Sequence, residues 1–253
     1  MQGWALTTCI SALPGDRYGT ILDVTRPLFE AYAAKWEMEF RPITVTQEMA
    51  APYEGGIPHA HGTHVLTASY PAHRALMDEY DGVVYLDNDA VIVDSSQDIC
   101  WEVSRETPIG LVPALAIGCW PMMSTLESRA FMDAFLDLRH LVADPDVPGR
   151  PPCPRWAMQW GEEGVIKELM GYTCRYRWPD RINAVPERKT RWTHLLKLLD
   201  WRWNRPERLD ILGPYLDDVV LAYPPRIVHP VSLPFDDRLR IVKSWAERSD
   251  LCT

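Results

Sequence analysis

The sequence has no dense block of lysine and arginine, and its 26 basic residues are outnumbered by 35 acidic residues, for a formal net charge of -9. An acidic chain of this kind has no sequence-independent grip on nucleic-acid phosphates, so there is no strong indication of a nucleic-acid partner. An uninterrupted apolar run near the roughly 20 residues that span a bilayer is also missing. We therefore expect a chain without a transmembrane segment.

The six cysteines form no Cys-x-x-Cys pair, and the first residues lack a positively charged stretch followed by an apolar one. Scattered cysteines without such a pair fit reduced thiols, and the start of the chain does not resemble a secretory leader. We therefore expect a cytoplasmic protein.

The 253 residues, of which 47% are hydrophobic and 24% charged, are enough for a well-formed core, and we expect a single domain over residues 1–253. Apolar strand-like stretches alternate with stretches of helical spacing, an order typical of a parallel sheet covered by crossover helices. This order predicts a three-layer α/β/α sandwich with a mainly parallel central sheet. The predicted strands are residues 3–10, 41–48, 83–93 and 108–117; the predicted helices lie within residues 18–36, 59–80, 125–142 and 161–172, the first interrupted at Pro27; residues 144–156, rich in proline, are predicted to be an exposed loop.

The stretch VVYLDNDAVIVD, residues 83–94, places two acids inside an apolar run. In open α/β sheets ligands bind beyond the carboxyl ends of the strands, which is where Asp87 falls. Two carboxylates with one residue between them can jointly hold a hard divalent cation that also takes phosphate oxygens of a nucleotide. Turn-forming Asp and Asn at a strand end are the simpler explanation. Because both flanks are apolar, unpaired acids here would be costly, which favours a ligand-binding role for Asp87 and Asp89.

The longer stretch YDGVVYLDNDAVIVDSSQDI, residues 80–99, resembles the DxD region of metal-dependent glycosyltransferases with the GT-A fold. Two later stretches agree in order with that family. WGEEGVIKEL occupies the place of an acidic helix start beside the acceptor, and RIVHP resembles the late strand whose histidine completes the metal site. The stretch between them, WPDRINAVP, is similar to a family segment leading to an asparagine. The resemblance implies that Asp87 and Asp89 bind metal and donor, with His229 as third metal ligand.

The same resemblance implies the partners, namely a UDP- or GDP-sugar donor and a carbohydrate or other hydroxyl acceptor. It assigns about residues 1–99 to the nucleotide sugar and about residues 100–253 to the acceptor. Further donor contacts are expected from Thr7 and Thr8 at the end of the first strand, which would line the base and ribose pocket, from Asn88 within the DxD motif, from Arg74 on the preceding helix and from Lys243. The glycine and lysine that often follow the family's histidine are replaced here by VSLPFDDRLRIVK, which contains Lys243.

The chemistry of sugar transfer explains these residue types independently of the family. Breaking the glycosidic bond leaves a nucleoside diphosphate, whose developing negative charge must be stabilised. Mn²⁺ or Mg²⁺ held by two carboxylates can do this as a Lewis acid. An imidazole ligand such as His229 favours Mn²⁺.

Two acids, Glu162 and Glu163, open the predicted helix after Gly161. Acids in a first helical turn are also explained by the helix dipole. If either is catalytic, it is the general base of an inverting reaction, or it positions the acceptor in a retaining one. The nearby Trp156 and Trp160 are candidates for a sugar-stacking platform, although tryptophans of this chain also serve packing.

Other readings of these motifs stay open. VVYLDNDAV also satisfies the pattern of haloacid-dehalogenase-like phosphatases, with Asp87 as nucleophile and Asp217 and Asp218 as a late acidic pair. In those enzymes the nucleophile follows the first strand, whereas here a strand, a helix and a second strand precede Asp87. A non-catalytic sugar-binding protein is the third class. The stretch HAHGTH, with histidines at 59, 61 and 64, lacks the spacing of a zinc site, and we interpret it as a loop lining the donor pocket.

Overall fold

The computed structural model describes residues 2–13, 15–51, 63–112, 118–143, 162–177, 180–206, 224–230 and 234–252. Its strands are β1 (Gln2–Thr7), β2 (Cys9–Ser11), β3 (Glu39–Phe40), β4 (Ile43–Val45), β5 (Tyr80–Leu86), β6 (Val91–Ile92), β7 (Ile109–Leu111), β8 (Cys119–Met123), β9 (Tyr172–Arg177), β10 (Asp180–Pro186), β11 (Leu196–Leu198), β12 (Arg205–Pro206) and β13 (Ile227–His229). Its α-helices are α1 (Tyr18–Lys35), α2 (Gln47–Ala50), α3 (Thr63–Glu79), α4 (Leu126–Ala143), α5 (Glu162–Met170) and α6 (Phe235–Ala246), and 3-10 helices span Ile99–Glu102, Thr193–Leu195 and Trp201–Asn204.

The central sheet has six strands in the order β11-β7-β8-β5-β1-β3. Parallel pairing joins β5 to β1, β1 to β3 and β11 to β7, whereas β8 runs antiparallel to both of its neighbours. Five of these six described strands therefore end at the same edge of the sheet. The prediction of a mainly parallel central sheet is confirmed.

Alternation along β5 creates a core on each face of this sheet. Val83 and Tyr85 belong to one hydrophobic cluster, which is completed by α3, α4 and α5. Val84 and Leu86 point the other way, into a cluster completed by α1 and the segment around Ile99. Since successive strand residues face opposite sides, this buried strand needs helices on both faces. The predicted three-layer α/β/α arrangement follows.

Three details differ from the sequence-based expectation. Helix α1 runs without a break through Pro27, because its packing on the sheet outweighs the one hydrogen bond that the proline cannot donate. The strand expected over residues 41–48 is only β4, which pairs with β2, and Thr46 caps the short helix that follows it. The strand expected over residues 83–93 divides at the acids into β5 and β6.

The strand after this division leaves the central sheet. β6 pairs antiparallel with β13, and β13 pairs parallel with β12 to form a separate three-stranded sheet. The hairpin of β9 and β10 forms another small sheet. The turn at residues 87–90 thus connects the central sheet to a smaller sheet, in which β6 pairs with the late strand β13.

Cys9, Cys100, Cys119 and Cys252 carry free thiols, in agreement with the expectation for those four residues. Within the described ranges, no helix combines the length and the apolar character that crossing a membrane requires.

Candidate metal site

The two acids of the DxD motif lie in a tight turn directly after β5. The backbone NH of Asp87 donates to the carbonyl of Gly118 at 3.0 Å, and the NH of Ala90 donates back to the carbonyl of Asp87 at 3.0 Å. Thr25 on α1 donates its hydroxyl to the carbonyl of Asn88 at 2.6 Å. The turn is therefore tied both to β8 and to α1, which holds the two carboxylates at the carboxyl edge of the sheet.

His229 reaches this turn because β13 pairs with the strand that follows it. Val228 is paired with Val91, so the next residue along β13 lies beside the turn. The Nε2 atom of His229 lies 3.2 Å from Oδ2 of Asp87 and 3.1 Å from Oδ1 of Asp89. Ligand atoms of all three side chains lie within 4.8 Å of one another. The prediction that these residues meet is confirmed.

A second set of side chains orients the three. Tyr85 donates its hydroxyl to Oδ1 of Asp87 at 2.5 Å. Nδ1 of His229 lies 3.2 Å from the side-chain oxygen of Asn204, which accepts if Nδ1 carries the proton. Arg238 on α6 lies 2.8 Å from Oδ2 of Asp89. A neutral His229 that donates from Nδ1 to Asn204 would present Nε2 as its ligand atom for a cation.

The charges of the cluster shift each of its pKa values. Burial, helped by the charge of Asp89, raises the pKa of Asp87 above its ordinary value despite the opposing effect of His229. Burial alone would also raise the pKa of Asp89, but the positive charges of His229 and Arg238 outweigh it and lower that pKa. Burial alone would lower the pKa of His229, and the carboxylates of Asp89 and Asp87 outweigh it and raise that pKa. The cluster thus favours positive charge at its centre.

This donor set fits a divalent cation. Two carboxylate oxygens and one imidazole nitrogen converge, and His229 and Asp89 are buried. The space is also kept clear on the side of β8, where a Cβ on Gly118 would lie 2.4 Å from Nδ1 of His229 and 3.0 Å from Oδ2 of Asp87. Only glycine at this position lets the histidine and the aspartate sit against the backbone.

No family model matches the sequence, and no curated protein matches it either. Solved structures do match over nearly the whole chain. The glycosyltransferase involved in glycosylation of the major capsid of PBCV-1 is similar with a TM-score of 0.55 and 12% identity, over 96% of this chain and 99% of that one. The galactosyltransferase LgtC, solved with donor and acceptor sugar analogues, is similar with a TM-score of 0.52 and 12% identity, over 97% and 96%.

A third structure, the glycosyltransferase GlyE of Streptococcus pneumoniae, has a TM-score of 0.52 and 10% identity, over 97% of this chain and 60% of that one. Together with the sheet order, these likenesses decide the fold. The chain has the GT-A fold. At such low identity the likeness shows the fold alone. The function of the site in this GT-A chain depends on its own residues.

The other residues predicted to contact the donor differ in how far they are buried in the GT-A fold. Thr7 and Thr8 are fully buried at the carboxyl end of β1, beside the DxD strand, and the hydroxyl of Thr7 donates to the carbonyl of Arg41 at 2.7 Å. Asn88 is half-buried within the turn. Their roles in donor binding stay predictions.

Two predicted basic contacts are not drawn into the cluster. Arg74 is held by Asp133 at 2.8 Å and by Asp78 at 2.9 Å, between α3 and α4. Lys243 is exposed on α6, the helix that instead brings Arg238 to Asp89. A contact of Arg74 or Lys243 with phosphates stays a prediction.

Glu162 and Glu163 begin helix α5, as the sequence predicts, and their side chains lie outside the described part of the structure. The same holds for the side chain of His64 within α3. Several other residues singled out in the sequence lie outside the described residues altogether: His59, His61, Trp156, Trp160, Asp217 and Asp218.

Sequence reasoning missed Arg238, Asn204, Tyr85 and Gly118. Arg238 lies in the stretch that replaces the family's glycine and lysine, so its position was a signal, but its contact depends on how α6 packs on α1. Asn204 ends a 3-10 helix and carries no local motif. Tyr85 reads as one more apolar residue of β5. Each becomes recognisable only when distant segments are brought together.

Proposed function

We propose that this chain is a glycosyltransferase that moves a sugar from a nucleotide-sugar donor to a hydroxyl acceptor. The observation that carries the proposal is the convergence of Asp87, Asp89 and His229 at the carboxyl edge of a GT-A sheet. Ligands of open α/β sheets bind at this edge. The LgtC structure, which holds donor and acceptor sugar analogues, supports both binding functions in a fold of this kind.

The three ligands would hold a divalent cation together with the diphosphate of the donor. When bound, the cation supplies Lewis-acid stabilisation of the negative charge that develops on the departing nucleoside diphosphate. The imidazole of His229 favours Mn²⁺ over Mg²⁺ as the natural ion. Tyr85 and Asn204 contribute by holding Asp87 and His229 in one orientation, which removes the cost of ordering them at each binding event.

The remaining assignments belong to the same proposal. Residues 1–99 would bind a UDP- or GDP-sugar, with Thr7 and Thr8 near the base and ribose and with Asn88 and Arg74 nearer the phosphates. Lys243, from the later part of the chain, would also contact the phosphates. Residues 100–253 would bind a carbohydrate or other hydroxyl acceptor. There Glu162 or Glu163, in the first turn of α5, would accept the proton of the attacking hydroxyl in an inverting reaction or position the acceptor in a retaining one.

The phosphatase alternative receives no support from the site. In the described structure β1, β2, β3 and β4 all precede β5 and Asp87, whereas the nucleophile of those phosphatases follows the first strand. The non-catalytic alternative does not require two acids that converge on a buried histidine. The solved structures described above are glycosyltransferases.

The test is a thermal-shift panel of nucleoside diphosphates and nucleotide sugars, each with and without Mn²⁺. A ligand at about 100 times its dissociation constant stabilises the native state by about 2.7 kcal/mol. We expect a shift with UDP or GDP ligands that requires the cation. Asp87→Asn removes one charged ligand and should weaken this cation-dependent binding by about 100-fold or more, since even outer partners of a metal ligand are worth about 10- to 100-fold.

The matched control is Asp137→Asn, the same change at an exposed position of α4, which should bind like the wild type. Slow hydrolysis of the preferred nucleotide sugar should accompany binding. Turnover of a generic aryl phosphate that Asp87→Asn abolishes, or cation-dependent binding that this variant leaves intact, would overturn the proposal.

A further inference from the structure

Asp89 lies between two basic side chains of the protein itself. Its Oδ1 atom lies 3.1 Å from Nε2 of His229, and its Oδ2 atom lies 2.8 Å from a terminal guanidinium nitrogen of Arg238. The side chain of Asp89 is 3% exposed and that of Arg238 is 17% exposed, so water screens this ion pair poorly. A permanent positive charge therefore sits in contact with one of the proposed metal ligands.

The packing of α6 explains why the guanidinium lies there. Phe235, the first residue of α6, packs edge-on against Tyr18 of α1 with ring centroids 5.8 Å apart. One turn later the guanidinium of Arg238 lies over the same Tyr18 ring, 5.5 Å from its centroid. The ring of Tyr18 and the carboxylate of Asp89 both contact the guanidinium and help to hold the charge in place.

The positions of the partners decide what this charge does to ligands. Arg238 contacts Oδ2 of Asp89 and His229 faces Oδ1, so a cation can take Oδ1 while the arginine keeps Oδ2. The arginine stays as an additional positive charge beside the cation and repels it. A nucleoside diphosphate carries negative charge to the same place and is attracted by both. Arg238 therefore repels the cation and attracts the nucleoside diphosphate.

We propose that Arg238 is a positioning residue that makes cation binding depend on the nucleotide. It lowers the affinity of the Asp87, Asp89 and His229 cluster for a free divalent cation, and it raises the affinity for a nucleoside diphosphate once the cation is present. Cation and nucleotide then bind cooperatively, and the site does not fill with metal before a donor arrives. This inference rests on the proposed function, because it takes the nucleoside diphosphate as the ligand of this edge.

The experiment is calorimetric titration of three combinations: Mn²⁺ alone, UDP or GDP alone, and the nucleotide in saturating Mn²⁺. Arg238→Met keeps a long apolar stem against Tyr18 and removes the charge. We expect this variant to bind Mn²⁺ alone about 10-fold more tightly and the nucleotide with Mn²⁺ about 10-fold more weakly, within the usual range of coupling between two ligands. Arg238→Lys keeps the charge and should restore both affinities towards the wild-type values.

The control is Arg240→Met, the same change two residues on, where the arginine is 73% exposed and pairs only at the surface with Asp237 among the described contacts. It should change neither affinity. If Arg238 had a purely structural role, its loss would weaken the binding of Mn²⁺ and of the nucleotide together. A shift of both affinities in the same direction therefore overturns the proposal. So does an Arg238→Met variant with wild-type affinities.

The wild-type protein provides a test that needs no variant. Coupling is reciprocal, so the nucleotide must raise the Mn²⁺ affinity by the same factor by which Mn²⁺ raises the nucleotide affinity. Independent binding of the two ligands overturns the proposal about Arg238 and leaves the proposed function intact. Failure of every nucleotide to bind overturns the proposed function, whereas the titration with Mn²⁺ alone still tests the repulsion by Arg238.

Discussion

Two clusters of carboxylates and basic side chains within the described residues have similar chemistry and different surroundings. One is the group of Asp87, Asp89, His229 and Arg238 at the end of β5, in which the side chain of Asp89 is 3% exposed. The other joins α3 to α4 through Arg74 with Asp78 and Asp133, two carboxylates that are 60% and 57% exposed.

Water makes the difference between them. In the exposed cluster, water solvates and screens every carboxylate, and an ion pair contributes little to the free energy of folding. In the buried cluster each carboxylate oxygen needs its own partner, because water does not replace one that is missing. Acidic and basic side chains therefore form an ordinary surface ion pair around Arg74, whereas around Asp89 they need a positive charge that water cannot replace.

The largest effect is expected where the buried cluster touches backbone. Gly118→Ala places a methyl group 2.4 Å from Nδ1 of His229, so the imidazole must move away from its partners. We expect a loss of about 1–3 kcal/mol in the free energy of unfolding, as for other overpacked sites. Cation-dependent nucleotide affinity should fall by about 10-fold or more. Urea unfolding and calorimetric titration measure the two quantities.

Gly19→Ala is the matched control, because a Cβ there meets nothing within 4 Å and the residue lies in α1. Because Gly19 lies in the first turn of α1, the change should raise the free energy of unfolding by less than about 1 kcal/mol or leave it unchanged. An unchanged affinity and stability in Gly118→Ala would mean that the buried cluster adapts as freely as a surface contact does.

A smaller, pH-dependent effect is expected behind the buried cluster. His73, next to Arg74 on α3, is fully buried against Tyr85, with ring centroids 4.7 Å apart. Burial lowers its pKa from 6.5 to about 3. Below about pH 6.5 the unfolded chain binds a proton that the native state refuses, so acidification destabilises the native state by up to about 1.4 kcal/mol per pH unit.

His73→Phe keeps the ring and removes the titrating group. The variant should lose stability less steeply than the wild type in urea unfolding between about pH 7 and about pH 5. His194→Gln, at an exposed histidine, should keep the wild-type slope. Equal slopes in all three proteins would show that His73 is protonated in the native state and that its surroundings resemble the surface.

The smallest effect belongs to the exposed cluster. Asp133→Asn removes one ion pair of Arg74, which keeps its pair with Asp78. The free energy of unfolding should fall by only about 0.2–1 kcal/mol, and less in high salt. A loss above about 2 kcal/mol in thermal or urea unfolding would remove the distinction between the two clusters.

The site could be predicted from the sequence as far as local rules reach. Two acids between apolar flanks, after an apolar run, indicate a strand end whose carboxylates need a positively charged partner. The structure has Asp87 and Asp89 at the end of β5. His229 came only from the resemblance to a family, because a single histidine in a short strand carries no local signal. The mainly parallel central sheet followed from the alternation of strands and helices for the same local reason, whereas the order of its strands did not.

The parts that could not be predicted depend on packing between distant segments. Pro27 ends a helix by local propensity and lies inside one in the structure, where burial of α1 dominates. Arg238 reaches Asp89 because Phe235 packs on Tyr18, a contact between the two ends of the described chain. The two aspartates were enough to predict a bound cation from the sequence. The contact of Arg238 with Asp89 could be recognised only from the fold.

The pairing of β6 with β13 has a consequence for the order in which the molecule is assembled. The aspartates lie directly before β6 and the histidine ends β13, so closing the site means closing a long loop of chain, which is slow and entropically costly. Before that closure the chain holds two acids and no third ligand. The three-ligand cation site therefore exists only after β13 has paired with β6, so a bound cation would stabilise the closed topology relative to the open one.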